Sequence, residues 1–168
     1  MITSNIQLGE GVNIDPTTSI NNVSIGNHVK IAKYCSVFGS PEHPLEIGEG
    51  TIISMFTMIN GYAAKISIGK NVSISQQVLI MVDSGPNASP LMQQYFPMKV
   101  GNIVIGDHSW IGANTVIMPG VELGEFCVVA ANSMVDKSFP PYSVIRGNPA
   151  KLIAHLPEHW HSADTLTD

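Results

Sequence analysis

Charged and aromatic side chains are both scarce in this chain. Charged residues make up 12% of the 168 residues, about half of the roughly 25% that is usual in globular proteins. Hydrophobic residues make up 44%, yet aromatic residues only 7%. The core must therefore consist mainly of aliphatic and small side chains, which suits thin, regular layers better than one large globular centre. The length predicts a single domain.

Three further absences limit the possible functions. The sequence has no run of lysine and arginine and a net charge of −5, so its electrostatics do not favour nucleic-acid binding. It has no apolar run near the roughly 18 residues that a membrane span needs, and no basic-then-apolar amino-terminal segment of a signal peptide. Because it has only two cysteines, we expect a cytoplasmic protein without a disulfide framework.

A repeat of six residues dominates the sequence instead. From Ile105 to Val135 an aliphatic residue recurs at every sixth position, and residues that are mostly small follow at an offset of four. The same frame occurs earlier in four sets of three. The eighteen aliphatic positions are Leu8, Ile14, Ile20, Ile25, Ile31, Val37, Ile47, Ile53, Ile59, Ile68, Ile74, Ile80, Ile105, Ile111, Ile117, Leu123, Val129 and Val135.

A period of six fits neither a helix nor a hairpin. A helix repeats its apolar residues at three and four, and antiparallel strands alternate at two. Period six predicts short strands that end in corners, three to a triangular coil, so eighteen positions predict about six coils of a parallel β-helix. We expect the glycine after the aliphatic residue to adopt the unusual backbone angles of the corner. Cys35 and Cys127 fall on small inward positions, where we expect burial without a chemical role.

Functional residues are expected where the repeat is interrupted, because loops on a rigid scaffold commonly carry the chemistry. Two interruptions are short, residues 38–46 and 61–65. The third, about residues 82–102, contains three prolines and reads VDSGPNASPLMQQYFPMKVGN. Loops of this length in a compact domain are usually functional. After Lys151 the period of six is lost.

The carboxyl-terminal repeats resemble those of a known family. Residues 105–153 contain the elements WIG, MPGV, FPPYSV and GNPAK. Together these resemble the hexapeptide acyltransferases, nearest the maltose, galactoside and xenobiotic acetyltransferases and the polysaccharide sugar O-acetyltransferases. The resemblance implies an all-β chain: a left-handed parallel β-helix over residues 1–153 with a protruding loop, then a short tail or helix over residues 154–168. It also implies a homotrimer with active sites between subunits, and acetyl-CoA as the donor.

In that family the CoA arm lies along the coils in a groove between two subunits. Carried over by position, the residues that would line the pantetheine arm are Ala113, Ala131, Asp136 and Lys137. Those that would lie near the CoA phosphates are Arg146 and Lys151. The alanines could equally fill ordinary corners, and Lys151 could be a solvated surface charge.

The chain departs from the family at the catalytic base. The family's usual base is a histidine just after the strand that leads into the long loop, where this sequence has Asp83 and Ser84. A base is worth roughly 10²–10⁴ in rate to a hydroxyl acceptor, whereas an amine can lose its proton beforehand. Three interpretations remain open. Asp83 is the base, with Ser84 or Asn87 positioning the acceptor; the acceptor is an amino sugar; or the activity is weak or lost. A tail histidine, His159 or His161, could also reach in from a neighbouring subunit.

Asn60 and Tyr62, in the second interruption, roughly match positions that the family uses for the acceptor. The predicted function is transfer of an acetyl group from acetyl-CoA to a hydroxyl or amine of a sugar or similar small acceptor, in surface-polysaccharide biosynthesis. We expect no metal, because His28 and His108 fall on corners of distant coils, unlike the converging zinc ligands of carbonic anhydrases with this fold. The alternative is a CoA-binding scaffold without catalysis.

Overall fold

The six-residue repeat folds as a left-handed parallel β-helix, seen in a computed structural model whose described residues are 4–158. Each of the first four coils contains three short strands. These strands are β1 (Ile6–Leu8), β2 (Asn13–Ile14), β3 (Ser19–Asn21), β4 (Val23–Ile25), β5 (Lys30–Ile31), β6 (Ser36–Phe38), β7 (Leu45–Ile47), β8 (Ile52–Ile53), β9 (Met58–Asn60), β10 (Ile66–Ile68), β11 (Ser73–Ile74) and β12 (Leu79–Met81).

The long loop follows the fourth coil, and two further coils follow the loop. The loop contains an antiparallel pair and a single helical turn between its strands. The remaining elements are β13 (Asp83–Ser84), α1 (Pro90–Gln93), β14 (Lys99–Val100), β15 (Ile103–Ile105), β16 (Trp110–Ile111), β17 (Val116–Ile117), β18 (Glu122–Leu123), β19 (Val128–Val129), β20 (Met134–Val135), β21 (Ser143–Gly147) and β22 (Ala150–His155). No helix among the described residues is long and apolar enough to cross a membrane.

Strands one coil apart pair in parallel and form one sheet on each side of the triangle. Sheet A contains β1, β4, β7, β10, β15 and β18, and sheet C contains β3, β6, β9, β12, β17 and β20. Sheet B contains β2, β5, β8, β11, β16 and β19, followed by β21 and β22. The register places aliphatic repeat positions on one another, as in Ile74 beside Ile111. The predicted six coils are confirmed, and Ile145 continues sheet B beside Val129.

The small inward residues satisfy the backbone of the next coil. The Thr51 hydroxyl donates to the Gly69 carbonyl at 2.8 Å and accepts from the Val72 amide at 3.1 Å. In a later coil the Ser109 hydroxyl donates to the Gly124 carbonyl at 3.2 Å. Because a buried hydroxyl without partners would be costly, these contacts explain why serine and threonine are tolerated inside the helix.

Cys35 and Cys127 occupy the same kind of inward position, and both are buried and free. The Cys35 thiol lies 3.2 Å from the Ser54 carbonyl oxygen, and the Cys127 thiol lies 3.3 Å from that of Pro140. Burial raises the pKa of both thiols. The expected burial is confirmed, and a protonated, buried thiol is a poor nucleophile.

The glycines of the repeat have a different role from the one expected. Positive φ angles occur three residues after the aliphatic position, as at His108 (59°) and Asn114 (56°), and Gly106 is not among the positive-φ residues. At Gly106, a Cβ would lie 2.4 Å from the amide nitrogen of Glu125 in the next coil. Close approach of two coils, rather than an unusual φ, therefore requires this glycine, and the prediction was wrong on this point.

The last described strand crosses the expected boundary between the β-helix and the tail. Ala150–His155 turns back and pairs antiparallel with Ser143–Gly147, the last parallel strand of sheet B. The period of six ends here because an antiparallel partner, not another coil, takes up the backbone hydrogen bonds of this sheet. Residues 154 and 155 therefore continue sheet B.

Candidate functional site

Nine of the eleven predicted site residues lie on two opposite edges of sheet C, and the other two, Arg146 and Lys151, lie in the last two strands of sheet B. We call these edges the B–C corner, between sheets B and C, and the C–A corner, between sheets C and A. Two predicted residues lie on the B–C corner, Ala113 and Ala131. The residues on the C–A corner and its loops are Asn60, Tyr62, Asp83, Ser84, Asn87, Asp136 and Lys137. A single chain does not bring the two groups together.

Beside the B–C corner, the outer side of sheet B carries one small residue from each of five successive coils. Each directly follows the inward aliphatic residue of its coil. This small-residue column consists of Ala32, Ser54, Ser75, Gly112 and Ala130. The sequence signal for it is a small residue after the second aliphatic position in each triplet except the first, where Asp15 follows Ile14, and the sequence prediction did not use it.

Ala113 and Ala131 stack one coil apart beside the small-residue column. The Asn132 amide donates to the Ala113 carbonyl at 2.9 Å, which fixes the spacing of the two coils at this corner. At Gly112, a Cβ would lie 2.5 Å from the Ala131 amide nitrogen. The two alanines place only methyl groups beside the backbone of this corner, whereas Gly112 is buried and its lack of a Cβ permits the close approach of the next coil.

The small-residue column ends at a pair of cations. Arg146 takes the next position in the column because Ile145 pairs with Val129. It also lies directly opposite Lys151 in the terminal antiparallel pair, and both side chains are exposed. Within residues 4–158 neither of them forms a salt bridge. Like charges directly opposite one another repel, so this pair is suited to bind an anion such as a phosphate.

On the opposite edge, Asp83 and Ser84 form the base of the long loop. They pair with Val100 and Lys99, so the two ends of the loop are tied together next to the fourth coil. Both side chains are half-buried. Among the described residues, the Asp83 carboxylate has no hydrogen-bond or salt-bridge partner, which leaves its oxygens available to a proton or a hydrogen bond from an acceptor.

The tip of the loop has its own internal hydrogen bonds. The Ser89 side chain caps the helical turn by accepting from the Met92 amide at 3.2 Å. The Gln93 side chain donates to the carbonyls of Pro86 at 3.1 Å and Asn87 at 3.3 Å. The side chain of Asn87 is exposed. These bonds hold the loop tip in a defined shape.

Asn60 lies beneath the strand that leads to Asp83. It pairs with Met81 of the next coil, and its side-chain oxygen accepts from the Tyr62 amide at 3.1 Å. The Tyr62 side chain is 67% exposed. Asn60, Tyr62 and Asp83 thus share one corner and come from successive coils.

Asp136 and Lys137 lie farther along the C–A corner, after the last strand of the sixth coil. The Lys137 ammonium is 5.5 Å from the centroid of the Phe139 ring. They are therefore separated from Ala113 and Ala131 by the width of sheet C. A CoA arm that touched all four residues would have to lie in a groove between two chains. One chain would contribute the two alanines to that groove, and the other chain would contribute Asp136 and Lys137.

The outer face of sheet C, between the two corners, is apolar. Its side chains alternate with the inward isoleucines and valines. In five of its six coils, seven outward residues are apolar: Phe38, Met58, Leu79, Met81, Val116, Met118 and Met134. Two polar residues, Ser36 and Asn60, lie between them. The equivalent positions of sheet A are mostly serine, glutamate and glutamine. A continuous apolar face of this kind marks an interaction surface.

The histidines form no cluster among residues 4–158. His28 and His108 lie on the corner between sheets A and B, with φ angles of 58° and 59°, as their repeat positions predicted. Within this part of the chain, no group of three His, Cys, Asp or Glu side chains could hold a metal. The tail histidines His159 and His161 lie outside the described residues.

Comparisons with known proteins identify relatives of this chain. Residues 102–137 match the family described as bacterial transferase hexapeptide (six repeats). The chain is 30% identical over 156 residues to a dTDP-4-amino-4,6-dideoxy-D-glucose acyltransferase of Escherichia coli, covering 88% of this chain and 80% of that protein. It is 36% identical over 104 residues to the putative colanic acid biosynthesis acetyltransferase WcaF of Escherichia coli, covering 62% and 52%. Two shorter matches to curated acetyltransferases cover only 35% and 26% of the relative's length.

A solved structure resembles nearly the whole chain. It is a mutant of AntD, an N-acyltransferase from Bacillus cereus, in complex with dTDP-4-amino-4,6-dideoxyglucose and coenzyme A. The TM-score is 0.80 at 27% sequence identity, and the match covers 91% of this chain and 84% of that one.

Proposed function

This chain belongs to the hexapeptide-repeat acyltransferase family, and from that premise we propose that it transfers an acetyl group from acetyl-CoA to a sugar. One observation carries the proposal. The small-residue column runs past Ala113 and Ala131 and ends at the exposed Arg146–Lys151 pair. Such an arrangement offers backbone groups to an extended arm and two cations to phosphates at one end of it, which matches the shape and charge of coenzyme A.

The proposed active site lies between two chains of a homotrimer. The donor-side residues are on the B–C corner and the acceptor-side residues are on the C–A corner, at opposite edges of the apolar face of sheet C. If three chains bury these apolar faces around one axis, the B–C corner of each chain meets the C–A corner of the next. Burial of the methionine-rich face supplies the driving force, and each closed contact completes one site.

Asp136 and Lys137 then line the CoA arm from the neighbouring chain. Both are exposed on the C–A corner and come from the sixth coil, the same level as Ala131. In the proposed assembly they approach the arm from the side opposite to Ala113 and Ala131. The thioester end of the arm would lie nearer to the fourth coil, where the loop with Asp83 begins.

The acceptor that we propose is the amine of an amino sugar. Described residues of the loop include no histidine, and the chain resembles both an acyltransferase named for an amino-dideoxyglucose and an N-acyltransferase. The free amine attacks the thioester carbonyl, a C–N bond forms, and the C–S bond breaks. The released thiolate takes up the proton that the nitrogen loses. Asp83 accepts a hydrogen bond from the attacking nitrogen, while Ser84, Asn87, Asn60 and Tyr62 position the sugar.

A hydroxyl acceptor is the second candidate, because the half-buried Asp83 carboxylate has no partner among the described residues and could act as a base. We further propose a cytoplasmic role in surface-polysaccharide biosynthesis. The resemblance to WcaF supports the pathway, and the two unpaired cysteines fit a reducing compartment.

The test is a thiol-release assay with acetyl-CoA and a panel of amino sugars and matched hydroxyl sugars, both free and nucleotide-linked. We expect turnover on at least one amino sugar, and slower or no turnover on the matched hydroxyl compound. Calorimetry with CoA is the second measurement. CoA binding without turnover on any acceptor would favour the scaffold alternative, and absence of both would reject the proposal.

A further inference from the structure

The B–C corner carries an exposed aromatic pair at the end of the small-residue column that is far from Arg146. Tyr34 and Phe56, from the second and third coils, stack with ring centroids 5.2 Å apart and planes 16° apart. Their side chains are 57% and 54% exposed. Their φ angles of 59° and 61° lie in the left-handed region, which bulky residues seldom adopt.

The same corner of the later coils uses polar residues instead. The equivalent positions, also with positive φ, are taken by Gln77, Asn114 and Asn132. The side-chain amide of Asn114 donates to the side-chain oxygen of Asn132 at 2.7 Å. Asparagine tolerates this conformation better than an aromatic residue does. The corner conformation alone therefore does not require Tyr34 and Phe56, whose side chains are more than half exposed in the single chain.

A cavity of about 360 Å³ lies next to the aromatic pair. It is lined by Lys33 and Met55, which directly precede Tyr34 and Phe56, and also by Lys30 and Asp15. Neither lysine forms a salt bridge with any residue from 4 to 158. The cavity thus holds two lysines without a salt bridge to any described residue, and it adjoins the aromatic pair in sequence through Lys33 and Met55.

The carboxylate of Asp15 is already engaged in its own turn. It accepts from the Thr17 hydroxyl at 2.6 Å and from the Thr17 amide at 3.0 Å. These two hydrogen bonds, with a smaller contribution from Lys33, hold the pKa of Asp15 below its ordinary value. Both hydrogen bonds go to one carboxylate oxygen, so Asp15 remains ionised, and the two lysines of the cavity outnumber it.

We infer that this end of the column binds the nucleoside diphosphate part of a nucleotide-linked sugar acceptor, with the base on the Tyr34–Phe56 stack and the diphosphate on Lys33 and Lys30. The inference rests on the proposed function, whose acceptor it makes more specific. Aromatic faces stack on any base, and lysine binds phosphate as a point charge. The sugar then extends from the diphosphate toward the fourth coil, where the loop with Asp83 approaches from the next chain.

The two phosphate-binding ends are far enough apart to be occupied together. Lys33 is in the second coil and Arg146 follows the sixth, so five strand spacings separate them, or roughly 24 Å at about 4.8 Å per spacing. This is well beyond the screening length of about 8 Å at physiological salt. The column can therefore hold a donor and an acceptor, each by its own phosphates, with the reacting groups between them.

The experiment is calorimetric titration of dTDP and UDP into the full chain saturated with CoA, so that the nucleotide cannot occupy the Arg146–Lys151 end. We expect Tyr34→Ala and Phe56→Ala each to weaken nucleotide binding about tenfold or more. Lys33→Met should weaken it and reduce its salt dependence. Tyr34→Phe and Phe56→Tyr should bind nearly as well as the unchanged chain.

The matched control is Phe126→Ala, which removes an aromatic ring from the stacked column of the other corner, between sheets A and B. It should leave nucleotide binding unchanged. Size-exclusion chromatography of every variant checks the assembly. If Tyr34→Ala changes the oligomeric state, the nucleotide affinity of Lys33→Met becomes the test of the inference. The Lys33 side chain is exposed, and its replacement removes no apolar surface.

Three results would overturn the inference. They are no binding of dTDP or UDP at millimolar concentration with CoA bound, unchanged binding in Lys33→Met, or binding of inorganic pyrophosphate as tight as that of dTDP, which would exclude a role for the stack. If one of these results is obtained and the chain still acetylates a free amino sugar, the nucleotide-binding inference fails but the proposed function stands. If it binds no CoA, the proposed function fails as well.

Discussion

Arg146 and Lys151 lie directly opposite each other on the two antiparallel strands that end sheet B, and both side chains are exposed. Two cations in such a cross-strand pair repel one another. No salt bridge to either of them exists in the described part of the chain. The pair therefore costs stability in the empty protein and becomes favourable when an anion lies between the two side chains.

Arg146→Ala should weaken CoA binding about tenfold, because a charge-assisted hydrogen bond to a phosphate is worth about 1.5–3 kcal/mol. The slope of affinity against salt concentration should fall at the same time, since one fewer ionic contact is made. Calorimetry at three salt concentrations measures both quantities. The thermal midpoint of the empty protein should not fall, because the repulsion with Lys151 is removed.

Lys70→Ala is the control for this prediction. Lys70 is an exposed cation on the corner between sheets A and B, away from the small-residue column. Its removal changes the net charge by the same amount but should leave CoA affinity unchanged. Equal losses in the two variants would mean that CoA responds only to overall charge, and Arg146 would lose its assigned role.

Asp83→Asn should affect the two kinds of acceptor differently. With a hydroxyl sugar, turnover should fall at least tenfold, because the amide cannot take up the hydroxyl proton. With an amino sugar, kcat should fall less than tenfold, since the free amine attacks without a strong base. Steady-state kinetics on a matched amine and hydroxyl pair measures this difference, and CoA affinity should not change.

Ser84→Ala provides the comparison at the neighbouring position of the same strand. It should raise KM for the acceptor more than it lowers kcat, because the proposed role of Ser84 is to position the sugar. A hundredfold loss of kcat on the amino sugar in Asp83→Asn would contradict the assigned role. It would show that Asp83 acts as a base for the amine too.

The repeat made most of the fold predictable. Every sixth residue from Ile105 to Val135 is aliphatic, and the register confirms that these residues stack on their copies coil by coil. A period of six indicates a parallel β-helix with one short strand in every six residues. The inward positions could therefore be identified without knowing the handedness of the helix or the conformation of its loops. The positions of His28, His108 and Cys127 followed from the same count.

The site was harder to predict, because its parts belong to different corners. Ala113 and Asp136 were assigned to one ligand, but they lie on opposite edges of sheet C. Counting along the repeat shows which coil a residue belongs to. It shows which corner of the triangle the residue occupies only if the three faces are counted separately. Strand β22 was not foreseen, because an antiparallel strand at the end of a β-helix carries no period of six.

Gly106→Ala should destabilise the β-helix by about 1–3 kcal/mol, the usual cost of overpacking. Its Cβ would meet the backbone of Gly124 and Glu125 at 2.4 Å, and backbone atoms cannot move aside as a flexible side chain can. Chemical denaturation followed by circular dichroism measures the change. Activity at a temperature well below the unfolding transition should be retained, since Gly106 is not in the proposed site.

Gly120→Asn is the matched control among the glycines. Gly120 has a φ of 85° and no atom near its ideal Cβ position, and the corner residues Asn114 and Asn132 already show that asparagine accepts a positive φ. We expect a change below about 1 kcal/mol. If Gly120→Asn were the more damaging substitution, backbone angle rather than coil-to-coil distance would set the need for glycine.

Cys35 and Cys127 should resist thiol reagents as long as the chain is folded. Both are buried, and burial raises the pKa of both thiols, so little thiolate is present and little of it is accessible. Ellman's reagent at pH 8 should label neither cysteine in the native protein and both in guanidinium chloride. Rapid labelling of one native cysteine would contradict the packing role.

The raised thiol pKa also predicts a pH dependence of stability. Below the unfolded pKa of about 8.5 both states hold the proton, and the stability is fully present. As pH rises above that value the unfolded chain releases its thiol protons while the folded chain retains them, so the free energy of unfolding should fall. In Cys127→Ser, part of this fall between pH 8 and 10 should disappear, because serine does not titrate there. Its hydroxyl should remain satisfied, since Ser133 and Ser143 donate to carbonyls from comparable buried positions.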